Sequence, residues 1–196
     1  ERLRTFEPPE GYWLAFSGGK DSQVIYDLAL RAGVKFEAHF SLTSVDPPEV
    51  VQFVRKEYPD VIIDHPPKTM WELIVENGVP PTRTMRYCCR VLKEPGGEGR
   101  FVVTGVRWAE SLRRRKRQML DHCAQHGKRL LHVIIDWTDV QVWEYHRQFI
   151  PRHCVLYDEG WRRIGCVLCP MSGQAKRHIE RWPKIADSYR RACRRA

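Results

Sequence analysis

One short segment of the chain combines a buried-strand pattern with a turn suited to binding phosphate. The apolar run 12–16 predicts a strand, and a glycine-rich turn follows it at once. Helical spacing begins directly after the turn, because Val24, Ile25 and Leu28 fall on one face. The residues of the turn and helix start are Ser17, Gly18, Gly19, Lys20, Asp21 and Ser22.

A strand, a glycine turn and a helix N-terminus together favour an anion site. Gly18 and Gly19 let the backbone curl until several N–H groups point at one place, and the helix dipole adds positive potential there. Lys20 and the Ser17 and Ser22 hydroxyls add side-chain donors. An ordinary tight turn is the alternative, but the full SGGKDS string after a hydrophobic strand is much more specific than a lone glycine motif.

Length and composition predict one globular domain, residues 1–196. The chain has 196 residues, of which 42% are hydrophobic, and no apolar run approaches membrane-spanning length, so we expect no membrane association. Its seven cysteines are odd in number and unevenly spaced, which argues against a secreted disulfide framework. We therefore expect a reducing, cytoplasmic location.

The net charge of +9 is concentrated in two places. Residues 113–117 are five consecutive basic residues, and four arginines decorate the tail at 190–195. A basic protein of this kind attracts anions, either small phosphorylated ligands or nucleic acid, although a solvated helix face is the common alternative.

Strand-like and helix-like segments alternate along the chain. This alternation predicts an α/β fold, a mostly parallel twisted sheet wrapped by helices, with ligands bound beyond the carboxyl ends of the strands. The segment 138–196 is rich in Trp, Tyr, Arg and Cys, and we interpret it as an extension packed on the nucleotide-binding domain. The predicted strands are 12–16, 36–41, 61–63, 101–104 and 131–135, and the predicted helices 21–32, 48–58, 69–77, 108–124, 138–149 and 174–193.

Four cysteines form two pairs, Cys88-Cys89 and Cys166-x-x-Cys169. The CxxC spacing is a familiar metal-binding turn. Adjacent cysteines point in different directions and suit a [4Fe–4S] cluster, whose ligand positions are spread over four irons, better than one tetrahedral ion. We therefore predict a [4Fe–4S] cluster, with Zn²⁺ as the alternative.

SGGKDS resembles the SGGxDS signature of the PP-loop superfamily, which includes ATP pyrophosphatases and the sulfonucleotide (PAPS and APS) reductases. Four further segments resemble APS reductases in family order, and the chain is identified as a member of the sulfonucleotide reductase family. These segments are YCCRxxK at 87–93, TGVRxxESxxR at 104–114, LYDxG at 156–160 and IGCVLCP at 164–170; the segment 136–145 is also similar to the family's WtxxdVWxY.

The resemblance implies an adenine nucleotide alpha-hydrolase-like, Rossmann-like fold and a set of site residues. SGGKDS would hold the phosphate or phosphosulfate of APS, PAPS or ATP. Ser41 and Thr43 would lie near the adenosine. An anion pocket would be completed by Gly105, Arg107, Ser111 and Arg114.

Reductases of this family carry an ECGxH tail whose cysteine attacks the substrate sulfur, after which thioredoxin releases sulfite. Residues 1–196 contain no ECGxH string. Cys193 lies among four arginines that would favour the nucleophilic thiolate, so we predict it as the catalytic thiol, the alternative being a cysteine without a role. Cys123 and Cys154 lie in no motif and are expected to be packing residues.

Three functions remain open from the sequence. The first is a sulfonucleotide reductase that releases sulfite, with Cys193 or an external thiol such as thioredoxin as nucleophile. The second is an ATP pyrophosphatase-type sulfur transferase that acts on a nucleic acid or a small acceptor. The third is a non-catalytic, nucleotide-binding regulatory cluster protein.

Overall fold

A six-stranded sheet forms the centre of the computed structural model, which describes all residues from 1 to 196. The strand order is β3-β2-β1-β4-β6-β5, and every neighbouring pair is parallel except β5 and β6. The strands are β1 (Tyr12–Ala15), β2 (Phe36–Ser41), β3 (Ile62–Asp64), β4 (Phe101–Thr104), β5 (Leu120–Cys123) and β6 (Lys128–His132). The predicted α/β fold with a mostly parallel sheet is confirmed.

Eight helices accompany the sheet. They are α1 (Arg2–Thr5), α2 (Lys20–Ala32), α3 (Pro48–Glu57), α4 (Met70–Asn77), α5 (Tyr87–Leu92), α6 (Asp139–Phe149), α7 (Ala175–Arg181) and α8 (Pro183–Arg195). None of them is long and apolar enough to span a bilayer.

The prediction of a helix over 108–124 is wrong. The chain there makes two short 3-10 turns, Trp108–Glu110 and Arg114–Lys116, and then β5, which pairs antiparallel with β6. Five successive basic residues interrupt the apolar stripe that a helix would need to pack on the sheet. Residues 120–123 instead form backbone hydrogen bonds with the free edge of β6.

Two other boundaries differ from the sequence prediction. The strand expected at 131–135 is β6, which begins earlier and ends at His132, and the apolar residues 133–135 turn while remaining buried. The single helix expected at 174–193 is two helices, α7 and α8, separated at Trp182. Pro183 explains the break, because proline has no N–H and disfavours helical geometry in the residue before it.

The C-terminal helices pack on helices of the N-terminal half of the chain. Tyr189 and Ala192 of α8 join a buried cluster with Met70, Leu73 and Ile74 of α4. At the other end of α8, the Trp182 indole N–H donates to Glu49 of α3 (3.0 Å).

The turn after β1 is in close contact with α3. Gly18 has a φ of +69°, and a Cβ at this position would come within 2.8 Å of Val54 and 3.0 Å of Val50. Gly18 is therefore required both for its left-handed backbone and for the close approach to α3.

We expect Gly18→Ala to lower the free energy of unfolding by about 2–5 kcal/mol, because left-handed strain and overpacking add together. Gly33→Ala is the matched control, since Gly33 has a similar φ of +67° with no atom near its would-be Cβ. That variant should lose only about 1–2 kcal/mol, the conformational cost alone. Urea unfolding of both variants measures the difference, and equal losses would contradict the steric argument.

Candidate functional site

The SGGKDS turn lies at the carboxyl end of β1 and leads directly into α2. The backbone N–H groups of Gly18, Asp21 and Ser22 have no hydrogen-bond partner within the protein. Helices α4 and α6, in contrast, each begin with a capping box, built on Thr69 and Thr138 respectively. The start of α2 thus presents free donors and the positive end of a helix dipole, which suits an anion.

Two residues from the C-terminal half fix the backbone of the turn at Lys20. The Lys20 N–H donates to the Tyr157 hydroxyl (2.8 Å), and His146 Nε2 donates to the Lys20 carbonyl (2.9 Å). Both residues were missed as site residues by sequence reasoning. Tyr157 lies in the LYDxG segment, a family motif that could have identified it as a site residue. His146 lies inside α6, where no sequence pattern distinguishes it.

Arg107 is almost completely buried, at 1% exposure, and its guanidinium donates hydrogen bonds to three groups of the same chain. Its Nε donates to Asp21 (2.6 Å), one Nη to Asp139 (2.7 Å) and the other to the Trp137 carbonyl (3.0 Å). Arg107 therefore holds the start of α2 through Asp21. Its guanidinium is buried in ion pairs with carboxylates and is not exposed on an open surface.

Lys20 belongs to the same charge network. Its ammonium lies 2.9 Å from Asp21 and 3.3 Å from Asp139. Desolvation opposes ionisation of the Asp139 carboxyl, but the hydrogen bond from Arg107 and the charge of Lys20 prevail and lower its pKa. The Asp139 carboxyl is therefore ionised near neutral pH and faces the Lys20 ammonium and the Arg107 guanidinium.

The other predicted anion-pocket residues lie on the segment that follows β4. Gly105 packs on α2, since a Cβ there would come 3.0 Å from the Asp21 backbone. Arg114 forms an ion pair with Glu110. The Glu110 carboxylate also accepts a hydrogen bond from the backbone N–H of Arg107 (2.9 Å). Ser111 is exposed and its hydroxyl accepts the Arg114 N–H (3.2 Å). The structure thus joins this segment to the network at Arg107.

The two residues predicted near the adenosine differ in their surroundings. Ser41 ends β2 and is half-buried. Thr43 is 1% exposed, its N–H donates to Asp46 (2.6 Å), and its hydroxyl lies 3.4 Å from the Cys166 sulfur. Thr43 therefore connects the loop after β2 with the second cysteine pair.

The two cysteine pairs lie on α5 and on the loop before α7. Cys88 hydrogen-bonds to Cys89, and this bond, with one from Arg86 (3.3 Å), lowers the pKa of Cys89. Cys88 and Cys166 both pack against the buried cluster that contains Tyr87 and Tyr189, so the two pairs occupy one region. No three or more His, Cys, Asp or Glu side chains of the chain converge as ligands of a single metal ion.

Lys93 adds a second cation to this region. Desolvation opposes its charge, but attraction to Cys166 and Asp46 prevails and raises the pKa of its ammonium. Lys93 is exposed as a residue, so solvent screens part of this attraction. Arg86 thus places positive charge beside Cys89, and Lys93 does so beside Cys166. Burial acts in the opposite direction and raises the pKa of Cys169.

The remaining cysteines have separate positions. Cys193 is exposed on α8 and lines a cavity of about 330 Å³ together with Pro81, Leu168 and Arg190; no residue of SGGKDS lines that cavity. Cys154 is buried in the main core, and Cys123 is half-buried on β5.

Sequence comparison finds relatives that are longer than this chain. Two uncharacterized proteins of Methanocaldococcus jannaschii are 28% and 32% identical over 92% and 89% of the chain, which covers 41% and 46% of their lengths. The chain therefore spans less than half of these relatives. An adenosine 5'-phosphosulfate reductase of Oceanobacillus iheyensis is 25% identical over 86% of this chain and 75% of its own.

Solved structures show the same fold at low identity. A phosphoadenylyl-sulfate reductase of Candida auris, solved as a phosphate complex, aligns with a TM-score of 0.65, 18% identity and coverage of 84% of this chain and 86% of its own. An FMN adenylyltransferase of Candida glabrata aligns with a TM-score of 0.56, 15% identity and coverage of 84% and 57%.

Residues 11–172 match the phosphoadenosine phosphosulfate reductase domain. The match includes SGGKDS, the segment after β4, and both cysteine pairs, and it ends before α7. On this match, the chain belongs to the phosphoadenosine phosphosulfate reductase domain family.

Proposed function

We propose that this chain binds an adenylyl sulfate, APS or PAPS, and reduces it to sulfite. The observation that carries the proposal is the uncapped start of α2, where three backbone N–H groups are free beside Lys20 and Arg107. A phosphosulfate supplies the anionic oxygens that such donors accept. Family membership supports the same class of ligand.

The proposed reaction needs two thiols. A thiolate attacks the sulfate sulfur, an S–S bond forms, and the bond between sulfur and the oxygen that bridges to phosphorus breaks. The nucleotide leaves with the electron pair, as AMP from APS or as adenosine 3′,5′-bisphosphate from PAPS. A second thiol then attacks the cysteine sulfur, a disulfide forms, and sulfite departs. The two thiols, which lose their protons, supply the two electrons that reduce sulfate to sulfite.

Cys193 is our proposal for the first thiol, and a thioredoxin-like dithiol or another external thiol for the second. Cys193 is exposed on α8, among four arginines at 190–195 that attract an anionic substrate. The lining of its cavity includes Leu168 of the CxxC loop, which supports a role for this thiol near the second cysteine pair.

We propose that Cys88, Cys89, Cys166 and Cys169 hold a [4Fe–4S] cluster. The donor set fits, because four thiols share one region, with Arg86 and Lys93 beside them to balance the negative charge of a thiolate-bound cluster. Zinc is the alternative: it would need all four sulfurs about 2.3 Å from one point, whereas adjacent cysteines such as Cys88 and Cys89 suit the spread ligand positions of a cluster better. A bound cluster would supply electrostatic influence beside the substrate site.

The second candidate function is ATP-dependent sulfur transfer to a nucleic acid. Residues 160–196 contain ten arginines and lysines against two acidic residues, and most of these cations are exposed. Such a surface suits a phosphate backbone. Pyrophosphate release from ATP distinguishes this function from sulfite release.

Nucleotide binding should depend on Lys20 and Arg107. We expect Lys20→Met and Arg107→Met each to weaken binding of APS, PAPS or ATP by about ten- to a hundredfold, because each removes a cation and leaves a carboxylate unbalanced beside the phosphates. Isothermal titration calorimetry measures the affinity, and urea unfolding separates lost binding from lost stability.

Arg113→Met is the control, since Arg113 belongs to the same basic run but is exposed and makes no ion pair. Its affinity should equal that of the unaltered protein. Unchanged affinity in both the Lys20 and the Arg107 variants would contradict the site assignment.

Protein purified without oxygen should be brown and contain about four irons and four sulfides per chain. Replacing any one of Cys88, Cys89, Cys166 or Cys169 by Ser should reduce iron content, measured by metal analysis and visible absorbance. Cys123→Ser should leave it unchanged. Stoichiometric zinc in place of iron would overturn the cluster assignment.

Cys193→Ser should abolish sulfite release from APS or PAPS while nucleotide affinity stays unchanged, because the variant lacks only the attacking thiol. Turnover with thioredoxin as reductant is the measurement. Full turnover would assign the attack to an external thiol. If the unaltered protein releases pyrophosphate from ATP but no sulfite, the sulfur-transfer candidate replaces the reductase.

A further inference from the structure

The loop that carries the second cysteine pair has an unfavourable backbone conformation. Leu168 lies between Cys166 and Cys169 with a φ of +56°, and Ser44 is the other non-glycine residue of the chain with a positive φ. A leucine in the left-handed region crowds its Cβ against the neighbouring carbonyl. The surrounding structure must therefore hold the loop in this shape.

Three hydrogen bonds attach the loop backbone to the rest of the fold. The Val167 N–H donates to the Val45 carbonyl (2.8 Å), and the Tyr189 hydroxyl donates to the Val167 carbonyl (3.3 Å). The third is made by the strained residue itself, because the Leu168 N–H donates to Nδ1 of His178 (2.7 Å).

His178 is fixed in orientation by its neighbours. It lies on α7 at 5% exposure, and its ring packs edge-on against Trp161 (5.2 Å between centroids) and Trp182 (5.4 Å). Arg177 in turn stacks over the Trp161 ring at 3.8 Å. The imidazole is therefore clamped with one nitrogen aimed at the loop.

The hydrogen bond to Leu168 defines the chemical form of the ring. Nδ1 accepts a hydrogen bond from the Leu168 amide, so Nδ1 carries no proton and the ring hydrogen is on Nε2. Burial lowers the pKa of His178, with the charge of Arg177 as a smaller contribution, and both favour the neutral ring. A neutral imidazole is the form that can accept this bond.

We propose that His178 is a positioning residue for the Cys166–Cys169 loop. By accepting a hydrogen bond from the Leu168 amide, it holds Leu168 in the left-handed conformation and fixes the directions of both thiols. His178 lies beyond the family match at 11–172, so this contact is a feature of the C-terminal helices of this chain. The bearing of His178 on a bound cluster rests on the proposed function, whereas its hold on the loop does not.

Three substitutions distinguish the effect of the hydrogen-bond acceptor at Nδ1 from the effect of the packing of the ring. His178→Asn places an amide oxygen near the position of Nδ1, His178→Gln places it near Nε2, and His178→Phe keeps an aromatic ring without an acceptor. His65→Phe is the control, because His65 is exposed and makes no hydrogen bond.

The readouts on metal-free, reduced protein are amide exchange at Leu168 and alkylation rates of single cysteines. The Phe and Gln variants should speed Leu168 exchange by about tenfold, the effect of losing one buried hydrogen bond. They should also speed alkylation of Cys166 and Cys169 but not of Cys123. The Asn variant should stay near the unaltered protein, and iron uptake should follow the same order.

Unchanged Leu168 exchange in both the Phe and Gln variants would overturn the proposal, as would equal behaviour of Asn and Gln. If the Phe variant does not fold, the Asn and Gln pair decides the matter. If the unaltered protein takes up no iron, the proposed cofactor is wrong, and the exchange and alkylation rates still decide the role of His178.

Discussion

The buried guanidinium of Arg107 joins three segments that are distant in sequence. It comes from the segment after β4, and it holds Asp21 at the start of α2 and Asp139 at the start of α6. A buried arginine is tolerable only when its donors are satisfied, and here two carboxylates and a backbone carbonyl satisfy them. The shape of the SGGKDS turn depends on this arrangement, because the turn has no side-chain cap of its own.

The network has a consequence for how the turn attracts an anion. Lys20 and Arg107 face Asp21 and Asp139, so the four side chains together carry no net charge. An anion at this turn would therefore be attracted chiefly by the free N–H groups and the α2 dipole. The charged side chains orient these donors, and Tyr157 and His146 fix the same stretch of backbone from the C-terminal half.

The C-terminal helices support the cysteine region as well as the main core. Tyr189 of α8 donates to the loop between Cys166 and Cys169, and its ring meets Trp71 of α4 edge-on at 5.1 Å. His178 of α7 holds the same loop from another side. Thr43 then connects the loop to the end of β2, so the second cysteine pair contacts the segment that follows the carboxyl end of this strand.

Local patterns in the sequence determined the α/β fold, the glycine-rich turn between β1 and α2, and the two cysteine pairs. A strand, a glycine turn and a helix start are adjacent in the chain, so their chemistry can be predicted without knowing the rest. The segment 108–124 could not be predicted in the same way, because it becomes a strand only through pairing with β6. Only the tertiary structure showed that Arg107 faces two carboxylates and that His178 meets Leu168. Those contacts join residues far apart in the chain, and no spacing in the sequence encodes which distant groups a buried side chain will meet.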